Sequence, residues 1–77
     1  MKQQEFYREI EEIVEAEPGS LSGNEQIRDL GGWDSMAEIS FIAMLDFKFG
    51  ISVSSDQLRA CTTLKDLEGL CDGKIES

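Results

Sequence analysis

The chain has 77 residues, 16 of them acidic and 7 basic, for a net charge of −9, and it contains no histidine. The acidity argues against nucleic acid and anionic membrane surfaces as partners, since both repel such a chain. Without imidazole no Ser-His-Asp, Cys-His or zinc-ligand cluster can be assembled, and a domain this small has little room for an enclosed pocket, so an enzyme is disfavoured.

Residues 3–16 read as a first helix. Phe6, Tyr7, Ile10, Ile13 and Val14 recur at helical spacing, with Glu5, Arg8, Glu9, Glu11, Glu12 and Glu15 on the opposite face and Pro18-Gly19 as the stop. Residues 17–34 form a long connection in which Leu21, Ile27 and Leu30 dip into the core and Ser22 or Asn24 begins a short turn. Residues 35–49 form a second helix, capped by Asp34 or Ser35 and ended by Gly50. Phe41, Ile42, Leu45 and Phe49 are spaced to face the core. Ile51–Ser55 is an extended link. Residues 56–60 make one or two helical turns capped by Ser55, and Thr62 or Thr63 caps a last helix over 64–72 whose tail frays after Asp72. The expected architecture is all-α, a bundle of three main helices plus one short helix with a long first loop, in one domain over residues 1–77.

Two cysteines, Cys61 and Cys71, are too few for a disulfide framework and read as small buried hydrophobes. The polar start, Met1-Lys2-Gln3-Gln4-Glu5, does not begin a signal peptide, and no apolar run approaches the length that spans a bilayer. A cytoplasmic monomer without membrane insertion or bound metal is the expectation.

The chemistry concentrates in Asp29-Leu30-Gly31-Gly32-Trp33-Asp34-Ser35-Met36, at the junction of loop and second helix. The first N–H groups of a helix lack intrahelical partners, so Ser35 sits where a phosphate is well accommodated. Gly31 and Gly32 let the chain approach closely, and the Asp34 carboxylate is suited to support Mg²⁺ during phosphate transfer. Taken alone, Asp-Ser before an apolar helix is ordinary capping. The context on both sides changes that reading. The chain resembles the acyl and peptidyl carrier proteins, whose signature is Asp-Ser-Leu at the start of the second helix after a glycine-containing loop. Here it reads Asp34-Ser35-Met36, with Asp29-Leu30-Gly31 upstream and Phe49-Gly50-Ile51 and Thr62-Thr63-Leu64 downstream.

The resemblance implies a four-helix bundle that carries 4′-phosphopantetheine on Ser35, moved there from coenzyme A by a phosphopantetheinyl transferase that uses Mg²⁺. The arm's thiol then holds an acyl or aminoacyl group as a thioester for acyl-loading and acyl-using enzymes. It also implies that the second helix is the recognition surface, with Met36 beside the serine and Ile39, Ser40, Ala43, Asp46 and Phe47 along the exposed side. Trp33 either packs over the core or stands beside the arm, and a partly buried position is favoured. Fatty-acid carriers tend to be acidic along the second helix, whereas this chain has Ser40, Phe47 and Lys48 there beside Glu38 and Asp46. That departure points to a dedicated biosynthetic pathway. Fatty acyl, polyketide and aminoacyl cargo all stay open, and the alternative is a carrier-like interaction domain that is never modified.

Overall fold

Helix α1 (Gln3–Val14) forms on the apolar stripe of Phe6, Tyr7, Ile10 and Val14, all buried, with Ile13 half-buried. The computed structural model describes residues 1–76, in the order α1, a 3₁₀ turn at Ile27–Asp29, α2 (Ser35–Phe49), α3 (Ser55–Arg59) and α4 (Leu64–Gly69). No strand occurs among the described residues, and none of their helices is long and apolar enough to cross a membrane. Residues 1–76 are thus all-α, with two long and two short helices rather than the expected three main helices and one short one, because the last helix stops early at Gly69.

Helix α1 ends before Pro18-Gly19 comes into play. Glu15 adopts the left-handed conformation at φ 59, and its N–H turns back to the carbonyls of Glu11 and Glu12. Glu11 is the larger correction. The sequence places it on the solvent face, yet it is only 3% exposed. The first loop doubles back over α1, and its backbone donors need an acceptor there. Glu11 supplies it: Oε1 accepts the Gly19 N–H at 2.9 Å and Oε2 the Leu21 N–H at 3.1 Å. Hydrogen bonds to a charged group contribute about 1.5–3 kcal/mol. Glu11→Ala is expected to lower the melting temperature by roughly 10–15 °C, on the scale of about 4–8 °C per kcal/mol for a domain this size. A thermal melt that moves by only a degree or two would show the loop is held without it.

The rest of the loop is pinned to the far end of the chain. The Glu25 carboxylate accepts the N–H groups of Ser22 at 2.9 Å and Gly23 at 2.8 Å, so residues 22–25 form a side-chain-closed turn, and the short helical turn begins at Ile27 rather than at Ser22 or Asn24. Ile27 N–H donates to Thr62 O at 2.9 Å, and Leu64 N–H to Glu25 O at 3.2 Å. Ile27 is buried as expected, with Leu21 and Leu30 half-buried against the core.

Helix α2 has the expected bounds and ends at Gly50 with φ 67. Helix α3 is capped by Ser54 rather than Ser55, because Gln57 completes a reciprocal pair: Gln57 N–H donates to Ser54 Oγ at 3.2 Å and Ser54 N–H to Gln57 Oε1 at 2.8 Å. Helix α4 is capped by Thr63 with Asp66, whose Oδ2 accepts from Thr62 and Thr63. It stops at Gly69, three residues short of the sequence expectation, and Asp72 (φ 52) and Gly73 (φ 76) turn the chain. Residues 73–76 do not form the expected frayed tail, and Ser77 lies outside the described residues. They run parallel to the start of the chain, with Gln3 N–H donating to Glu76 O at 2.6 Å and Glu76 N–H to Met1 O at 2.8 Å.

Phe6, Ile10, Phe41, Leu45, Leu64, Leu67 and Cys71 are fully buried. Phe41 sits under α1, its ring 5.9 Å from that of Phe6 at 71°, an edge-on arrangement aromatic rings favour. Helix α2 contributes Ala37, Phe41, Met44 and Leu45. The expected core residues Ile42 and Phe49 are only half-buried at its margin. Tyr7 joins α1 to α4 through its hydroxyl, which donates to Glu68 Oε2 at 2.8 Å. Both cysteines are free thiols, Cys71 buried and Cys61 half-buried. Burial first, and the Glu68 carboxylate second, push the Cys71 thiol up to about 11. Burial and then Asp66 raise that of Cys61. Both are therefore weak nucleophiles at neutral pH.

Candidate functional site

The site is assembled where the first loop meets α2. Gly32 lies against the C-terminal end of α1. A Cβ there would stand 2.8 Å from the Val14 carbonyl carbon and closer still to its oxygen, backbone atoms with no rotamer to yield. Close approach requires the glycine at this position alone of the pair, because Gly31 has open space around it. Overpacking costs about 1–3 kcal/mol, so Gly32→Ala is expected to lower stability by that amount while Gly31→Ala changes it by less than about 0.5 kcal/mol. Chemical denaturation of the two variants measures the difference, and equal midpoints would contradict the packing.

With Gly32 anchored, Trp33 folds over the core. It is half-buried, its ring 6.0 Å from Phe41 at 62°. Asp34 is the N-cap of α2, in extended backbone, with Oδ1 accepting the Ala37 N–H at 2.9 Å. The open choice of cap between Asp34 and Ser35 thus resolves to Asp34. Ser35 is left as the first helical residue, exposed and free of a capping duty. The Asp34 carbonyl accepts the Glu38 N–H at 3.0 Å and its side chain takes that of Ala37. The N–H groups of Ser35 and Met36 remain the unpaired donors of the first turn among the described residues. An exposed hydroxyl beside two free donors at the positive end of a fifteen-residue helix suits a phosphodiester. Only Oδ1 of Asp34 is occupied by capping, so Oδ2 is free to meet a cation brought by a partner. No cluster of three potential metal ligands exists among the described residues.

The remaining residues singled out from sequence lie along α2. Met36 is 71% exposed, Ile39 62% and Phe47 87%, and these are the exposed large hydrophobics among the described residues. Ser40, Ala43 and Asp46 are exposed with them. At about 100° per residue these six span roughly a third of the helix circumference; five of them border two depressions, and Phe47 stands outside both. Met36 and Ser40 border a cleft of about 230 Å³ shared with Asp34 and with Val14 and Glu15 at the end of α1. Ile39, Ala43 and Asp46 line a groove of about 340 Å³ with Ile42 and Val53. Lys48 does not belong to this face, because its Nζ lies 3.3 Å from Glu9 Oε1 on α1. Sequence reasoning missed Val53. The only signal for it was the apolar alternation of Ile51 and Val53 in the extended link. On the other side of the Ser35 turn, Trp33 and Glu38 border an open depression of about 400 Å³ whose lining includes Ile27, Leu58 and Cys61.

The phosphopantetheine attachment site family matches residues 4–71, which takes in α1 through α4 and the whole junction around Asp34-Ser35. No curated protein and no solved structure gives a significant match. Domains of this family bear covalently attached 4′-phosphopantetheine, are carriers rather than catalysts, and work with a phosphopantetheinyl transferase and biosynthetic enzymes. With nearly the full length of its helical fold covered by the match, the chain belongs to the acyl and peptidyl carrier protein family.

Proposed function

We propose that Ser35 carries the 4′-phosphopantetheine arm, and that the arm holds acyl groups as thioesters for enzymes of a dedicated biosynthetic pathway. The observation that carries this reading is the exposed Ser35 hydroxyl at the first position of α2, relieved of capping by Asp34. Ser35 Oγ gives up its proton and attacks the pantetheine-side phosphorus of coenzyme A; the pyrophosphate P–O bond breaks, adenosine 3′,5′-bisphosphate leaves, and the phosphodiester is formed. The free N–H groups of Ser35 and Met36 lie beside the new negative charge, and Asp34 supports the Mg²⁺ that the transferase brings. The carrier acts as a cytoplasmic monomer, one domain over residues 1–77. Loading with an acyl coenzyme A and a broad-specificity transferase tests it. Intact mass should rise by one acyl-phosphopantetheine, and hydroxylamine should then release the acyl group alone, as a thioester requires. Acyl mass that resists hydroxylamine would refute the thioester.

The outer face of α2 is the proposed partner surface, with Met36, Ile39, Ser40, Ala43, Asp46 and Phe47 as contacts, joined across the Ser35 turn by Trp33. Apolar side chains concentrated on one exposed face favour docking. Burying one such side chain contributes about 1.5–3 kcal/mol. Met36→Ala is therefore expected to lower the transferase's kcat/KM roughly tenfold, and Phe47→Ala to do the same for an acyl-using enzyme. Neither should shift stability by more than about 0.5 kcal/mol. A large stability loss for Phe47→Ala would move that residue into the core.

A further inference from the structure

The first loop is fastened by carboxylates. Six backbone N–H groups, those of Gly19, Leu21, Ser22, Gly23, Thr62 and Thr63, donate to three of them. Glu11 on α1 takes Gly19 and Leu21, Glu25 in the loop itself takes Ser22 and Gly23, and Asp66 on α4 takes Thr62 and Thr63. The turns closed by Glu25 and Asp66 are laced to each other through the backbone. Ile27 N–H donates to Thr62 O at 2.9 Å, Leu64 N–H to Glu25 O at 3.2 Å and Lys65 N–H to Gly23 O at 3.2 Å. The ion pairs among the described residues, Lys48 with Glu9 and Arg59 with Asp56, involve none of the three acids. What holds the strap is hydrogen bonding to carboxylates in their charged form, the stronger kind.

We infer that residues 19–27 form an acid-released strap: when Glu11, Glu25 and Asp66 take up protons, the loop lifts off α1 and the start of α4 as one unit while the packing of α1 on α2 persists. A protonated carboxyl loses its charge and turns one of its two acceptor oxygens into a donor. Burial raises the Glu25 carboxyl, but the N–H groups of Ser22 and Gly23 and the Ser22 hydroxyl outweigh it and hold the group below the usual carboxylate range. The Thr63 and Thr62 N–H groups hold Asp66 low in the same way. A carboxyl lowered by folding contributes stability that is present above its unfolded value, about 3.9–4.3, and is lost as pH falls through the folded one. Other charged groups face the strap. Arg8 borders one small depression with Glu11, Gly19 and Leu21, and Lys2 and Glu76 border another with Leu21 and Ser22. Glu68 is a fourth carboxylate nearby, but it accepts from the Tyr7 hydroxyl and the Gln3 amide, outside the strap. Burial and Glu68 raise the Tyr7 hydroxyl, and burial and Asp66 raise the Cys61 thiol, so both stay neutral in acid. The core does not share the dependence. Phe6, Ile10, Phe41 and Leu45 join α1 to α2 by apolar contact, and acid relieves the self-repulsion of a chain of net charge −9.

Amide hydrogen exchange of the full chain, expressed as protection factors, tests the strap. Between neutral pH and about pH 3.5, the amides of Leu21, Gly23, Ile27, Leu64 and Lys65 are expected to lose protection together, by roughly tenfold or more, while Phe41 and Leu45 change less than about twofold. The side-chain carboxyl carbons of Glu11, Glu25 and Asp66, read in the same samples, should titrate at the midpoint of that loss. Glu25→Gln at neutral pH mimics one protonation. It should speed exchange roughly tenfold not only at Gly23, its own partner, but also at Leu21, which Glu11 holds, and at Ile27 and Leu64, which the backbone holds. Loss confined to Ser22 and Gly23 in that variant would show separate turns and overturn the inference. So would equal loss at Phe41 and Leu45 in acid, which is global unfolding, or opening at a pH where the three carboxyls have not titrated.

Discussion

Ser35→Ala is expected to abolish phosphopantetheine loading while leaving the helical circular dichroism and the melting temperature within a few degrees of the parent. Ser35 is exposed, and the hydrogen bond that starts α2 is made by Asp34 to the Ala37 N–H. Alanine has the best helix propensity, so the fold loses nothing at this position. Asp34→Ala should behave differently. It removes the cap, at a cost of about 0.5–2 kcal/mol, and impairs loading as well. Ser20, exposed in the first loop, is the control: Ser20→Ala should load normally. Intact mass together with a thermal melt reads all three. A Ser35→Ala chain that loses its helical signal would make the residue a structural cap.

Phe41→Ala is the substitution expected to damage the fold most. Phe41 is fully buried, packs against Phe6 on α1 at 5.9 Å and supports Trp33 at 6.0 Å. Phenylalanine-to-alanine changes in a core cost about 3–5 kcal/mol. At about 0.05–0.15 kcal/mol per residue, a domain of this length has only roughly 4–12 kcal/mol in total. The melting temperature should therefore fall by about 20 °C or more, and the emission of the single tryptophan should move toward that of water-exposed indole as Trp33 loses its support. Since Phe41 anchors α2, which begins at Ser35, loading should weaken in the same temperature range. A fall of less than about 5 °C would mean that the two rings are not the centre of the core.

What the sequence made legible was what depends on local pattern. The bounds of α2 follow from Asp34 at one end and Gly50 at the other, whereas its exposed side is what the family resemblance implies, and Met36, Ile39 and Phe47 do lie outside. The corrections arise where distant segments meet. Glu11 looks like one more solvent-facing acid until the first loop brings the Gly19 and Leu21 N–H groups onto it. The segment after Asp72 looks free until it pairs with residues 1–3. Lys48 seems to alter the charge of the partner face until α1 presents Glu9 to it. The same holds at the site. Asp34-Ser35 is readable as a motif, but the need for glycine at position 32 and not at 31 comes from the approach of Val14, and the groove wall at Val53 comes from a link whose short alternation does not say which element it packs against. Helix α4 ends early because residues 70–73 turn through two left-handed positions, one of them an aspartate that carries little signal.

The measurement closest to the central claim is a tryptic map of the wild-type chain after incubation with coenzyme A, Mg²⁺ and a broad-specificity phosphopantetheinyl transferase. Cleavage after Arg28 and Lys48 yields a peptide spanning 29–48, whose serines are Ser35 and Ser40. The account predicts one phosphopantetheine on this peptide, with fragment ions placing it at Ser35. An arm at Ser40 or on any other peptide, or a folded chain that takes up none from several transferases, would contradict it.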